Sequence, residues 1–239
     1  MQFQRPQWHD ELPSTNTTLA DWLREGRELP DGFVLAARAQ TAGRGRYERR
    51  WLVQPGRNLT FSMLLRSKVP PLQLLSLPMA AALGVAAYLE ENGIAAQTKW
   101  PNDVLVGGRK ICGILAERNE DVVLGIGLNV NMDADAAAAI DRPATSLRIE
   151  MDRERAVEDV LDELLVHLQT WIGRWEQGGF AALREAWEFR CANIGQYVEV
   201  SEDADRRTGV VLGFGAAGQL LLREDDGTQA EVWAGDVDG

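Results

Sequence analysis

The sequence predicts an α+β fold, a mixed sheet flanked by helices and followed by a small β-barrel, and three observations carry that expectation. Short β-like runs between residues 96 and 130 follow one another through hairpin-type turns, without the crossover helices of an alternating parallel fold. Two segments, 72–89 and 157–172, have the length or period of buried helices. From about Ala192 the texture changes to brief β runs spaced by glycines, the pattern of a small barrel of hairpins.

The elements follow in order. Thr15–Glu25 reads as a short helix with Leu19, Trp22 and Leu23 on one face and Gly26 as its stop. Phe33–Ala39 reads as a strand, and Gln40–Arg50 as a polar loop. Asn58–Leu65 alternates Leu59, Phe61, Met63 and Leu65 on one side, a strand pattern. Leu72–Leu89 reads as a helix capped by Asn92-Gly93. It is apolar enough to raise the question of a membrane span. Gln73, Ser76, Pro78, the many alanines and the Glu90-Glu91 end argue for a buried helix instead. Ala96–Trp100, Asp103–Val106, Lys110–Ala116 and Val122–Val130 read as strands, with Gly107-Gly108 turning between the second and third. Residues 134–139 read as a surface loop or short helix. Val157 to Ile172 is strongly amphipathic, with His167 on the polar side, where a solvated histidine is expected. Phe180–Arg190 reads as a shorter helix. Tyr197–Val200, Gly209–Leu212, Leu220–Leu222 and Ala230–Trp233 supply the barrel strands. The expected division is 1–191 for the main domain and 192–239 for the barrel.

Composition bounds the function. The 239 residues carry 36 acidic and 25 basic side chains, a net charge of −11, which argues against grip on a nucleic-acid backbone. The cluster Arg44, Arg46, Arg49 and Arg50 therefore reads as a local anion site rather than a steering surface. Two cysteines in no metal spacing and a polar N-terminus without a secretory pattern fit a reduced cytoplasm. With His9 and His167 as the only histidines, a histidine-based metal or triad site is not expected.

The chain writes its cations as arginine and keeps three lysines, Lys68, Lys99 and Lys110. Lysine offers a compact, rotatable ammonium where arginine offers a planar fork. Lys99 and Lys110 bracket one short stretch, which suggests a pocket built around point charges; Lys68 stands in no motif. Gly43-Arg44-Gly45-Arg46 follows a strand, and glycines there let backbone N–H groups approach an anion while the arginines add bidentate hydrogen bonds. It lacks the Gly-Lys-Ser/Thr ending of a P-loop, and a solvated surface loop is its plain alternative. Trp100-Pro101-Asn102-Asp103 is either a tight turn or a place where Asp103 holds a hydrated Mg²⁺ and Asn102 donates to a ligand. Glycines 125 and 127 inside an apolar strand mark close approach of a ligand or of another part of the chain. Ser14-Thr15-Asn16 opens a helix, as an ordinary cap or as a grip on a polar head group.

Together these motifs resemble the catalytic domain of biotin protein ligases. The matching stretches are Ser14-Thr-Asn16, Gln40-Thr-Ala-Gly-Arg-Gly-Arg46, Trp51, Lys99-Trp-Pro-Asn-Asp103, Lys110-Ile-Cys-Gly-Ile-Leu115, Gly125-Ile-Gly-Leu-Asn129 and, in the C-terminal segment, Trp233-Ala-Gly-Asp236. They stand in the family's order at about its spacing. The resemblance implies a ligase domain followed by an SH3-like barrel. It also implies activation of biotin by MgATP to biotinyl-5′-AMP and transfer to a lysine of a biotin carboxyl carrier domain of acetyl-CoA carboxylase or a related carboxylase. It implies that Ser14, Thr15, Asn16, Gln40, Gly43, Arg44, Gly45, Arg46, Lys110 and Gly113 surround biotin and its activated carboxyl. Arg46, Arg49, Trp51, Lys99, Asn102, Lys110 and Asn129 would serve the nucleotide, and Asp103 the metal. Lys110, Arg46 and Lys99 would be the catalytic cations, with no covalent enzyme nucleophile.

Glu48 stands where the family often has glycine, which leaves open whether Arg49 or Arg50 takes the family's arginine role. Some members carry an N-terminal helix-turn-helix domain; with motifs beginning at residue 14, none is expected here. The loop 41–50, rich in arginine and poor in apolar anchors, is expected to be mobile until an anionic ligand orders it. A lipoate–protein ligase and a non-enzymatic biotin sensor are the competing readings, and a homodimer through a sheet edge is left open.

Overall fold

The computed structural model describes residues 2–47, 49, 51, 55–118, 120–202 and 205–238. Among these, the elements run β1 (Gln7–Leu12), α1 (Thr15–Arg24), β2 (Val34–Gln40), β3 (Asn58–Leu65), α2 (Leu77–Glu91), β4 (Gln97–Lys99), β5 (Asp103–Val106), β6 (Arg109–Arg118) and β7 (Val122–Asn129). Then come α3 (Ala134–Ala138), α4 (Leu147–Met151), α5 (Val157–Gly178), α6 (Arg184–Arg190), β8 (Tyr197–Glu202), β9 (Asp205–Phe214), β10 (Leu220–Glu224), β11 (Gln229–Val232) and β12 (Asp236–Asp238).

The first seven strands form one sheet in the order β1-β2-β3-β7-β6-β5-β4. β1 runs parallel to β2 and the other pairs are antiparallel, so the sheet is mixed, as expected. The turn between β5 and β6 is Gly107-Gly108, both at positive φ (55° and 74°), the conformation of a two-residue hairpin whose twist matches its strands. β1 was not foreseen. Its sequence, Gln-Trp-His-Asp-Glu-Leu, alternates poorly, and it becomes a strand because β2 offers it an edge.

One face of this sheet carries the main core. α2 and α5 pack there over Leu59, Phe61, Met63, Leu124, Ile126 and Leu128. α1 lies on the other face, where Leu19 joins Leu35, Leu64 and Val123 in a second apolar cluster. The segment Pro71–Glu91 is long and apolar enough to cross a membrane by length and composition. In the fold, α2 is a core helix, with Leu77, Met79 through Ala86, Tyr88 and Leu89 buried. The expected single helix from Leu72 divides into a 3-10 turn over Pro71–Ser76 and then α2. Pro78 explains the break: its ring is tolerated in the first turn of a helix and not in the interior. Asn92-Gly93 ends the helix as expected, with Gly93 at φ 77° and Ile94 N–H donating back to Leu89 O at 2.9 Å.

Phe180–Arg190 likewise divides, into a 3-10 turn (Gly179–Ala182) and α6. His167 is half-buried rather than freely solvated. Its Nε2 lies 2.8 Å from Glu91 Oε2, its side chain is 22% exposed, and its ring meets Tyr88 edge-on.

The last five strands form an antiparallel sheet in the order β11-β10-β9-β8-β12. Among the described residues no ladder joins β11 to β12, so the hydrogen-bonded order is an open sheet and not the closed barrel expected. Its inner residues Val198, Val200, Val211, Phe214, Leu220, Leu222 and Val237 merge with the main core. Phe214 meets Phe180 and Trp187 at 6.0 Å. Trp100 Nε1 donates to Gly218 O at 3.0 Å, tying the second sheet to the turn between β4 and β5.

Candidate active site

The strand registers build the floor of the site. Ala37, Thr60, Gly127, Gly113, Asp103 and Lys99 lie in one row across β2, β3, β7, β6, β5 and β4. Side chains alternate along a strand, so the residues two apart share this face. On β3 that places Asn58, Thr60 and Ser62 opposite the apolar core residues. On β7 it places Gly125, Gly127 and Asn129 there. The result is a polar, glycine-floored surface on the back of an apolar sheet.

A cavity of about 760 Å³ stands over this floor. It is lined by Ser14, Thr15, Asn16, Gln40, Arg44, Gly45, Arg46, Arg49, Trp51, Lys99, Asn102, Asp103, Lys110, Gly113 and Asn129, which is every expected site residue except Gly43. Gly43 is not part of this lining. It lies behind Trp51, where an added Cβ would stand 2.6 Å from the Trp51 carbonyl oxygen, so its lack of a side chain serves the loop's own packing. Arg50 and Glu48 lie outside the described residues.

One end of the cavity is lined by neutral polar side chains, with the Arg44–Glu117 ion pair beside them. Ser14 caps α1, its Oγ 3.5 Å from Thr17 N. Thr15 N–H donates to Gln40 Oε1 at 2.7 Å. Ser62, fully buried, sits 2.7 Å from Thr15 Oγ1 and 2.6 Å from Asn16 Oδ1. A hydroxyl has one proton, so if Ser62 donates to Asn16, Thr15 donates to Ser62. Asn16 Nδ2 donates to Glu117 Oε2 at 2.9 Å. Gly125 makes room for this network: a Cβ there would stand 2.1 Å from Asn16 Oδ1.

The middle is filled by Trp51. An added Cβ on Gly127 would meet its indole at 2.4 Å, and one on Gly113 at 2.9 Å. These glycines let an aromatic ring lie flat against the sheet. Trp51 Nε1 is buried and has no hydrogen-bond partner among the described residues.

The other end is cationic. Lys110 Nζ lies 2.6 Å from Asp103 Oδ1 and 5.7 Å from the Trp51 ring centre. Asn102, held by its Nδ2 donating to Ile114 O at 2.7 Å, accepts from Arg46 at 3.3 Å. Arg46 also donates to Gly235 O at 3.1 Å and faces Asp236 Oδ1 at 3.6 Å, while Arg49 pairs with Asp236 Oδ2. Lys99 and Arg142 approach Asp238 at 3.9 and 3.8 Å. Arg44 belongs to the polar end, where it pairs with Glu117 at 3.0 Å, the carboxylate to which Asn16 donates. The described arginines of the loop each meet a carboxylate. Among the described residues, six cationic and four acidic side chains line the cavity, an excess of two positive charges in an acidic chain.

Cys112, beside Lys110, is no nucleophile. Burial pushes its thiol far up, outweighing the opposite pull of the Lys110 ammonium, so it stays protonated. As for a metal, no group of three His, Cys, Asp or Glu gathers among the described residues. One carboxylate, Asp103, at the cationic end fits a hydrated Mg²⁺ that arrives with phosphates, which needs only one or two protein ligands.

Two parts of the lining were not foreseen. Ile140 to Ala144 is placed by Lys110 itself, whose N–H donates to Pro143 O and whose carbonyl accepts from Thr145 N–H, both at 2.9 Å. Residues Asp236 to Asp238 come from β12. Neither has apolar periodicity, and their place depends on long-range pairing; the run Trp233-Ala-Gly-Asp236 was the one available signal.

A model of the biotin/lipoate A/B protein ligase family matches residues 8–133. The biotin–[acetyl-CoA-carboxylase] ligase of Paracoccus denitrificans is 33% identical over 239 residues, spanning 94% of this chain and 99% of that relative. The bifunctional ligase/repressor BirA of Bacillus subtilis (strain 168) is 31% identical over 239 residues, spanning 97% of this chain and 73% of that protein. Among solved structures, the biotin protein ligase from Aquifex aeolicus in complex with biotin and ATP matches with a TM-score of 0.84 at 29% identity, covering 99% of this chain and 98% of that one. With a family match over more than half its length and a relative 33% identical across 94% of it, the chain belongs to the biotin/lipoate A/B protein ligase family.

Proposed function

We propose that this chain is a biotin protein ligase acting in the cytoplasm. It joins biotin and ATP into biotinyl-5′-AMP and pyrophosphate, then passes the biotinyl group to a lysine of a biotin carboxyl carrier domain of acetyl-CoA carboxylase or a related carboxylase. The observation that carries this reading is the order of the cavity: a neutral polar end, an indole against a glycine floor, and a cationic end. A ligand with a polar neutral head and a carboxylate that must meet a phosphate matches that order.

In the first half-reaction a carboxylate oxygen of biotin bonds to the α-phosphorus of ATP, and the bond to pyrophosphate breaks. Two anions must approach, so cations must neutralise both. Lys110 bridges them in this reading, with Arg46 and Lys99 on the phosphates and Asn102 holding Arg46. Thr15, Asn16 and Gln40 hold the head group. Mg²⁺ brought by ATP would share the phosphate charge, with Asp103 facing it. In the second half-reaction the neutral amine of the acceptor lysine attacks the acyl carbon; the C–N bond forms, AMP leaves with the C–O electron pair, and the amine releases a proton. No side chain of this protein is acylated. The negative chain charge supports no role on nucleic acid, and retention on duplex DNA at physiological salt would count against that.

Pyrophosphate exchange into ATP tests the reading. Biotin should support exchange, and lipoate or neither should not. Exchange with lipoate alone would make this a lipoate ligase, and exchange with neither would make it a sensor.

A second expectation concerns Arg46. Arg46→Gly should release the adenylate about 10–100-fold faster, the loss of a charge-assisted hydrogen bond to phosphate, and should label bystander lysines. Biotin with MgATP should slow tryptic cleavage after Arg44, Arg46 and Arg49 in the parent protein. Unchanged adenylate release by the variant and unchanged cleavage with ligand would remove Arg46 and its loop from the site.

A further inference from the structure

Arg46 and Arg49 have one carboxylate between them, and it comes from Asp236, far along the chain from both. Asp236 Oδ1 faces Arg46 at 3.6 Å, Asp236 Oδ2 pairs with Arg49, and Gly235 O accepts from Arg46 at 3.1 Å. Asp236 is itself well covered, its side chain 14% exposed. Its backbone is not free to drift. Asp236, Val237 and Asp238 pair with Ser201, Val200 and Glu199 of β8, and Val237 is buried in the common core. Gly235 is seated so closely that an added Cβ would stand 2.8 Å from Val200 Cγ1. A short strand anchored in the second sheet thus presents one carboxylate to two arginines of a loop that has few apolar contacts of its own.

We infer that Asp236 is a positioning residue for adenylate formation and retention: it sets Arg46 and Arg49 where a phosphate will lie. A side chain that must meet a phosphate works best when other groups hold it there beforehand, because the ordering cost is met in folding rather than in binding. Asp236 touches no reacting atom. It acts through the two guanidinium groups, each of which has further N–H donors to offer a phosphate. This also gives the second sheet a part in the chemistry, since the residues that fix β12 are those of β8. The inference rests on the reading of the site as a biotin-adenylate site.

The test compares Asp236→Asn, Asp236→Glu and, as a control on the same sheet, Glu231→Gln, an exposed residue of β11, the strand farthest from β12. The Asn variant should release biotinyl-5′-AMP about tenfold faster and raise KM for ATP similarly, leaving KM for biotin and Tm near those of the parent, because the loss is one charge-assisted contact at the phosphate end. The Glu variant should recover most of the retention, and Glu231→Gln should match the parent. Should Asp236→Asn not fold, Asp236→Ser serves the same comparison. In an Arg49→Gln background the Asp236→Asn change should add less than it does alone, since both act through one pair. Full retention of the adenylate by the Asn variant, a lower KM for ATP, or a fully additive double variant would overturn the inference. If the parent protein forms no adenylate from biotin and ATP, it is the functional reading that fails and not this one.

Discussion

Lys110→Ala is expected to slow adenylate formation by about 10²–10³-fold, the usual loss when one preorganised charge is removed from a site where charge develops. The ammonium lies 2.6 Å from Asp103 and against the Trp51 face, at the junction between the polar and cationic parts of the cavity. Without it, a carboxylate and a phosphate must approach with one fewer cation between them. The fold should persist. What Lys110 contributes to the neighbouring loop is its backbone, bonded to Pro143 O and Thr145 N, and the substitution leaves both bonds in place. Single-turnover formation of biotinyl-5′-AMP measures the effect directly. A near-normal rate, in a variant with a parent-like melting curve, would show that Lys110 does not bridge the reacting anions.

Gly125→Ala should raise the Kd for biotin by about 10–100-fold while adding only one methyl group, since small-to-large changes in a packed site cost about 1–3 kcal/mol. The new Cβ would stand 2.1 Å from Asn16 Oδ1. Asn16 cannot give way cheaply. Its amide is held by Ser62 on one side and by Glu117 and the Leu115 carbonyl on the other. If it moves, the buried Ser62 hydroxyl loses an acceptor, and Thr15 is left to take up the slack. The damage is confined to the neutral polar end, so KM for ATP should change far less than affinity for biotin. Equal loss for both substrates, or none for biotin, would show that Gly125 serves strand packing alone.

The two substitutions probe features that were legible to different degrees. Lys110 stands out in the sequence because the chain has so few lysines, and its partner motif at 99–103 lies only a turn away. The glycines at 125 and 127 were visible as anomalies in an apolar strand, but what they make room for was not. The register Thr60–Gly127–Gly113 and the placement of Asn16 and Trp51 over it depend on which strands pair, and β7 pairs with β3, more than sixty residues earlier in the chain. Gly43 shows the reverse case. It was expected at the ligand from its motif, and the packing reason for a glycine there, the close approach of the Trp51 carbonyl, was not visible in the sequence.

By itself the sequence determined most of the element types, the mixed α+β class, the helix caps, the hairpin at Gly107-Gly108 and a set of candidate site residues of which all but Gly43 line the cavity. These follow from local causes: apolar period, the φ freedom of glycine, the missing N–H of proline and the chemistry of short motifs. The tertiary structure alone decided that β1 and β12 exist, that the second sheet is open, that the loop from Ile140 to Ala144 closes over Lys110, and that Asp236 holds Arg46 and Arg49. Each of these rests on an interaction across a long stretch of chain, between groups whose own sequence neighbourhoods have no strong preference. A three-residue strand such as Asp236–Asp238 has too few residues to show a period, and it forms because β8 and the core beneath Val237 are already in place.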